Sequence, residues 1–286
     1  MPEMPEVESL VRFLRPACVG RVIARIDLVA FSALKTYDPP LTALHGLEID
    51  GVQRHGKFID LSVGGLHLVF HLARAGWLRW KDEVSDKPPP RKGPLALRLR
   101  LDDGSGFELT EAGTQRKLAV HVTADPASIG HVATLGPDPL AESFDAAAFA
   151  DVLQRAGRSQ LKGVLRDQRV IAGIGNAYSD EILHAAKLSP FKGANTLTDE
   201  ERDRLFGAIK TELAGAIERA EGLAAKDLKG EKKAGLRVHG RKGETCPVCG
   251  DTIAEVSFHD SSLQYCPTCQ TGGRKLADRR LSKLLK

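Results

Sequence analysis

The chain opens MPEMPEVESL, setting Pro2-Glu3 and Pro5-Glu6 close together before any fold-forming pattern begins. Methionine ahead of proline is commonly removed, and its removal would leave Pro2 with a secondary amine at the terminus. An α-amino group titrates near about 8, well below lysine, so a useful fraction is unprotonated at neutral pH. Such an amine can attack an aldehyde-level carbon and form an iminium. Glu3 and Glu6, one and four residues on, can supply the acid and base steps. A terminal Pro-Glu also serves as a plain helix lead-in with favourable dipole charges, so on these residues alone both readings stand.

Cys246, Cys249, Cys266 and Cys269 form a C-x2-C-x16-C-x2-C pattern within CPVCG and CPTCQ. Two short-spaced thiolate pairs a hairpin apart supply the tetrahedral sulfur set that structural zinc prefers. Disulfides are disfavoured inside cells, and an intracellular chain is the expectation. The N-terminus has no basic region followed by an apolar run, and no stretch approaches the roughly 18 apolar residues of a membrane span. Cys18 stands alone as an expected core thiol. Net charge is only +4, yet residues 229–286 hold 12 Lys/Arg against 6 Asp/Glu. That basic quarter points to a polyanion, nucleic acid first; a solvated basic tail is the alternative.

These groups need a scaffold, and 286 residues allow about two domains. Val7, Leu10, Val11 and Leu14 fall at helical spacing from about residue 6 to 19, with Pro5 suited to the first helical position. Then RVIARIDLVA, KFIDLSV, LHLVFHLA, LALRLRL and FELTEA read as strands, with a hairpin tip at Asp103-Gly104. This β region ends near residues 135–140. In the second half SQLKGVLRDQ is helical through Leu161, Val164 and Leu165, and GIGN breaks it. Asn176 is expected to cap the next helix, AYSDEILHAAK. A Thr198-x-x-Glu201 capping box begins a long helix with apolar residues at 205, 209, 213 and 217. No internal repeat is present.

MPEMPEVE, VQRHGKFIDL, RDQRVIAGIGNAYSDEIL, RVHGRKGETCPVCG and YCPTCQ, in that order, closely resemble the Fpg/Nei (formamidopyrimidine-DNA glycosylase and endonuclease VIII) family. The resemblance implies an α+β fold. A catalytic antiparallel β-sandwich with a flanking helix would span 1–138 and a helical domain with a helix-two-turn-helix 139–228. A loop and four-cysteine zinc ribbon would span 229–270 and a basic tail 271–286, with damaged duplex DNA bound by a monomer. It further implies that Pro2 attacks C1′ of a damaged nucleotide, with Glu3 as the acid opening the deoxyribose and Glu6 as a supporting carboxyl. Lys57 would bind phosphate and assist catalysis. Asn176, at a turn into a helix N-terminus, would face a phosphate, as would Arg158, Lys162, Arg241 and His71.

Several positions depart from the family pattern. Arg74, in HLAR, replaces a methionine that fills the vacated base site. Arg116 keeps the arginine that reads the orphaned base, but Leu118 replaces the wedging phenylalanine. His239 replaces a tyrosine. Ser261 stands where relatives carry an arginine at the ribbon hairpin tip, and a hydroxyl cannot clamp phosphate as a guanidinium does. Arg274, Lys275, Arg279, Arg280, Lys283 and Lys286 are the residues available to replace that grip. The chain thus reads as a bifunctional glycosylase and abasic-site lyase with one structural zinc, slightly favouring 8-oxoguanine and formamidopyrimidine lesions. An oxidised-pyrimidine enzyme and a non-catalytic damaged-DNA binder are the alternatives. The polar stretch 224–235 is expected to be a loop that helps select the base.

Overall fold

A computed structural model describes residues 1–90, 92–113, 115–258 and 261–277. Arg279, Arg280, Lys283 and Lys286 therefore lie outside the described residues. By its contacts the chain divides into two units, Met1–Leu135 with Arg219–Glu231, and Gly136–Glu218 with Lys232–Lys286.

In the first unit, helix α1 (Met4–Cys18) is followed by strands β1 (Ile23–Leu28), β2 (Ile49–His55), β3 (Phe58–Val63) and β4 (Leu66–His71). Strands β5 (Gly76–Lys81), β6 (Leu95–Leu101), β7 (Gly106–Glu111) and β8 (Ala119–Thr123) complete it. They form two four-stranded sheets, β1-β6-β7-β5 and β2-β3-β4-β8, with every strand pair antiparallel. Val7, Leu10 and Leu14 of α1 join Leu97, Leu99 and Phe107 of one sheet and Leu61, Leu68 and Phe70 of the other in a single apolar cluster. Phe70 meets Phe107 at 5.8 Å between ring centroids. Cys18 is buried in the same cluster, and burial pushes its thiol up to about 12.

Only five of these strands are expected from the sequence pattern. IDGVQRH (β2) is not among them because Asp and Gly interrupt its pattern, yet Ile49 and Val52 point into the core on a period of three across a register shift. GWLRWK (β5) and AVHVT (β8) are short and half polar, and only their neighbours make strands of them. Segment 219–231 returns to this unit through Ala225, whose carbonyl accepts the Trp77 indole N–H at 3.0 Å, while the Lys229 ammonium lies 4.6 Å from that ring's centre.

The first unit's leading segment ends with α2 (Gly130–Ala133), and the second unit contains α3 (Ala146–Ala156), α4 (Leu161–Arg166), α5 (Asn176–Ala185) and α6 (Asp199–Arg219), then α7 (Leu228–Gly235) shared with the first unit. A β9–β10 hairpin (Ala254–Ser257, Ser262–Tyr265) and α8 (Pro267–Thr271) follow. The Thr198–Glu201 box forms in both directions, at 3.0 and 3.3 Å. Residues 228–235 are helical rather than loop: Leu228 is buried and good helix formers follow it, a local preference masked in sequence by the run's polarity. The α+β architecture is as the motifs imply. Among the described residues no helix is long and apolar enough to cross a membrane.

Candidate active site and nucleic-acid interface

Pro2 directly precedes Glu3, the residue that caps α1, and both are buried while Met1 is exposed. Glu3 and Glu6 form a reciprocal capping box, in which the Glu3 N–H donates to Glu6 Oε2 at 2.7 Å. The same box that starts the helix thus places two carboxyl groups within one turn of the terminus. Next on the helix, Glu8 accepts from Arg54 Nε at 2.9 Å, and Arg54 Nη1 donates to the Gly56 carbonyl at 3.0 Å. Burial alone would raise the Glu8 carboxyl, but the guanidiniums of Arg54 and Arg12 hold it below the usual carboxylate range. Arg54 therefore ties α1 to the turn that carries Lys57.

That turn has two residues, since His55 pairs with Phe58, and Gly56 takes the positive φ (55°) that a tight hairpin loop requires. Lys57 is only 7% exposed. Strand β3, which follows this turn, carries a buried group that no sequence motif marks. Asp60, fully buried, accepts from His55, His67 and Gln53, each at 2.9 Å. His55 stands five residues from Asp60 and the other two stand seven away. Such separations carry no motif; only strand pairing assembles them.

His71 stacks on Phe58 at 4.7 Å, and its Nδ1 accepts the Ala73 N–H at 3.2 Å, leaving the proton on Nε2. Burial, then the nearby Lys57 ammonium, pushes its pKa down to about 4. It can offer a phosphate a hydrogen bond, but not the charge expected of a basic contact. Because the folded form resists protonation, stability from a neutral His71 is present above about 6.5 and lost as pH falls toward 4. Replacing His71 with Asn should remove up to about 2 kcal/mol of the loss in unfolding free energy, measured by urea titration, between pH 6.5 and 4.5. Parallel curves would contradict this.

Ala73 adopts a left-handed φ of 51°, and the turn it makes sets Arg74 outward and exposed. Arg116 is exposed, with Nη2 3.3 Å from the Gly93 carbonyl. Leu118 corrects an expectation: it is 1% exposed, held by Glu111, whose carboxylate accepts its N–H at 3.1 Å. A side chain packed in the sandwich core cannot wedge into a base stack.

In the second unit, Gly175 rather than Asn176 caps α5. Asn176 instead is the first helical residue, its Nδ2 donating to the Ser262 carbonyl at 2.7 Å and its Oδ1 buried without a partner. Lys162 also corrects its expected role. It is 5% exposed, and its ammonium reaches Asp180 Oδ1 at 2.6 Å and the Asn176 carbonyl at 2.7 Å. That charge is neutralised inside the protein and is not presented to a phosphate. Lys162→Met should lower unfolding stability by about 3–5 kcal/mol, the cost of stranding one member of a buried pair. The salt slope of DNA binding should stay unchanged, whereas a phosphate contact would lower it by about one. Arg158 is exposed. Arg241 lies 3.8 Å from Glu244, a loose surface pair. Ser261 closes the β9–β10 turn through its carbonyl, which accepts the Phe258 N–H at 2.7 Å.

The four cysteine sulfurs lie within 4.8 Å of one another, with Cys249–Cys266 at 3.3 Å and Cys246–Cys269 at 3.9 Å. Zinc with bonds of about 2.3 Å places tetrahedral sulfurs about 3.8 Å apart, so the donor set fits. Burial pushes the Cys266 thiol up to about 11 and raises Cys269 as well. Four thiolates crowd this space only around a cation, and the cysteines hold one structural zinc.

Residues 1–120 match the formamidopyrimidine-DNA glycosylase N-terminal domain, 135–227 the formamidopyrimidine-DNA glycosylase H2TH domain, and 243–272 the zinc finger found in FPG and IleRS. The formamidopyrimidine-DNA glycosylase of Symbiobacterium thermophilum is 36% identical over 94% of this chain and 89% of its own length. Lactococcus lactis Fpg bound non-covalently to DNA containing an abasic site superposes with a TM-score of 0.82 at 27% identity, over 94% of this chain and 99% of that one. The same protein with DNA containing Fapy-dG gives 0.82 at 28%, over 94% and 100%.

Proposed function

This chain belongs to the formamidopyrimidine-DNA glycosylase family of DNA-repair proteins, and from that premise we propose that it excises oxidised bases from duplex DNA and then cuts the strand, using Pro2 as the nucleophile. The observation that carries this reading is a proline at position 2, made terminal by removal of Met1, followed within one helical turn by two buried carboxyl groups.

In the proposed reaction the Pro2 nitrogen attacks C1′, the bond from C1′ to the damaged base breaks, and the base leaves with a proton. Glu3 donates a proton to the ring oxygen as the deoxyribose opens, which yields the iminium. That cation is an electron sink, so the C2′ proton becomes acidic. Its removal expels the 3′ phosphate by β-elimination, and a second elimination expels the 5′ phosphate. C1′ is buried in a stacked duplex, so the nucleotide must first be flipped out. Lys57, on a turn braced to α1 through Arg54, is positioned to serve the phosphate nearby. The Asn176 amide has two hydrogens, and only one is used on Ser262. Arg74, Arg116, Arg158 and Arg241 complete the proposed contacts.

Residues 1–138 carry the chemistry in this scheme, while 139–228 and the ribbon within 229–270 grip the backbone, with the chain acting as a monomer. The Fapy-dG complex of the Lactococcus protein supports purine-derived lesions over oxidised pyrimidines. Single-turnover excision on matched duplexes carrying 8-oxoguanine, formamidopyrimidine or an oxidised pyrimidine tests this. Faster removal of the pyrimidine would reverse the lesion assignment. Binding with no excision of any lesion would leave a DNA-holding protein.

A further inference from the structure

Helix α5 carries Asn176, Asp180 and His184 four residues apart, a spacing that puts them on one face. The first two positions of that face bond to the segment that includes the zinc ribbon. Asn176 donates to the Ser262 carbonyl at 2.7 Å; Asp180 Oδ2 accepts from His239 Nδ1 at 2.7 Å and from the Gln264 N–H at 3.2 Å. Beside them, Glu181 accepts the backbone N–H groups of Arg237, Val238 and His239 at 2.8–3.0 Å. His184 is the third member of the row. Its ring is 2% exposed, and Nε2 lies 3.3 Å from Sγ of the zinc ligand Cys246.

A zinc-bound thiolate has no proton, so of the two atoms only Nε2 can donate. The ring is then the Nε2–H tautomer, and Nδ1 is the acceptor, which is buried without a partner. A phenylalanine would fill a similar volume without burying a bare nitrogen. What the histidine alone supplies is the hydrogen bond to sulfur. We propose that His184 is a positioning residue of the zinc site, donating to the Cys246 thiolate so that α5 and the metal hold each other in place. Ligand-orienting bonds of this kind typically change metal affinity by about 10–100-fold. Withdrawing electron density from sulfur also makes the thiolate less reactive.

Full-length His184→Phe and His184→Gln proteins provide the test. Competition with 4-(2-pyridylazo)resorcinol should show zinc held at least about tenfold more weakly in H184F, with H184Q between it and the parent because the amide can donate. In cobalt-substituted protein, the sulfur-to-metal charge-transfer band should move to longer wavelength in H184F and less so in H184Q. Parental affinity and an unmoved band in H184F would overturn the proposal. Should H184F fail to fold, unmodified protein loaded with cadmium-113 gives the answer by NMR. Scalar coupling between the metal and the His184 Hε2 proton is expected; a proton on Nδ1 instead, with no coupling, would overturn it.

Discussion

Protein whose Met1 has been removed is expected to become covalently joined to abasic-site DNA in the presence of borohydride, and protein that retains Met1 is not. The difference is one of bonding at a single nitrogen. With Met1 attached, the Pro2 nitrogen is a tertiary amide whose lone pair is delocalised into the carbonyl, and it does not attack carbon. Met1 is exposed while Pro2 is buried, and removal of Met1 is what creates the amine. Excision should fall on the order of a million-fold in the Met1-bearing form, the scale on which loss of a covalent nucleophile registers elsewhere. Intact mass establishes which form is present, and a denaturing gel after borohydride reports the adduct. Glu3→Gln should separate the two halves of the reaction. Excision of a damaged base needs a proton delivered as the sugar opens, and loss of such a donor costs about 10²–10⁴-fold. A pre-formed abasic site already presents its aldehyde, so trapping there should survive in E3Q. A fully active protein that still carries Met1 would remove Pro2 from the mechanism, and equal loss of both activities in E3Q would reassign Glu3 to supporting the helix.

The parts of this site that were legible in sequence are those held by neighbours a few residues away. The Thr198–Glu201 capping box and the two C-x2-C pairs are local, and each forms as its spacing requires. What was not legible depends on distant partners. Lys162 reads as a surface cation until Asp180, 18 residues on, is found 2.6 Å from it. Leu118 sits at the family's wedge position, yet Glu111 draws its backbone inward. Strand β2 was obscured by its own Asp and Gly, and its pairing with β3 outweighed them. On α5, Asp180, Glu181 and His184 are charged or titratable types, which sequence alone does not mark as buried. All three are buried because the chain at 237–264 and Cys246 supply their partners. Buried polar groups of this kind are stable only when the partner is present.

That dependence sets the second large effect. Removing zinc, by chelation or by Cys266→Ser, should cost the second unit far more than the ribbon's own small core of Val238, Cys246, Ile253 and Cys266. Structural zinc in comparable small sites contributes about 10 kcal/mol or more to folding, and without it four sulfurs have no reason to converge. As the ribbon loosens, Glu181 loses three backbone donors, Asp180 loses His239 and Gln264, and Asn176 loses Ser262. Two carboxylates would then be buried with too few donors, and the α5 helix that carries them would fray from its N-terminus. Amide exchange at 237–239, 254–257 and 262–265 should accelerate together with exchange along α5, and DNA affinity should drop with it. Both tryptophans, Trp77 and Trp80, lie in the first unit, so their fluorescence reports the sandwich alone and should keep its denaturation midpoint. Ribbon amides that exchange quickly while α5 stays fully protected would show that the helix does not depend on the metal, and the row of bonds from Asn176 to His184 would then be packing detail instead of the link that holds this unit together.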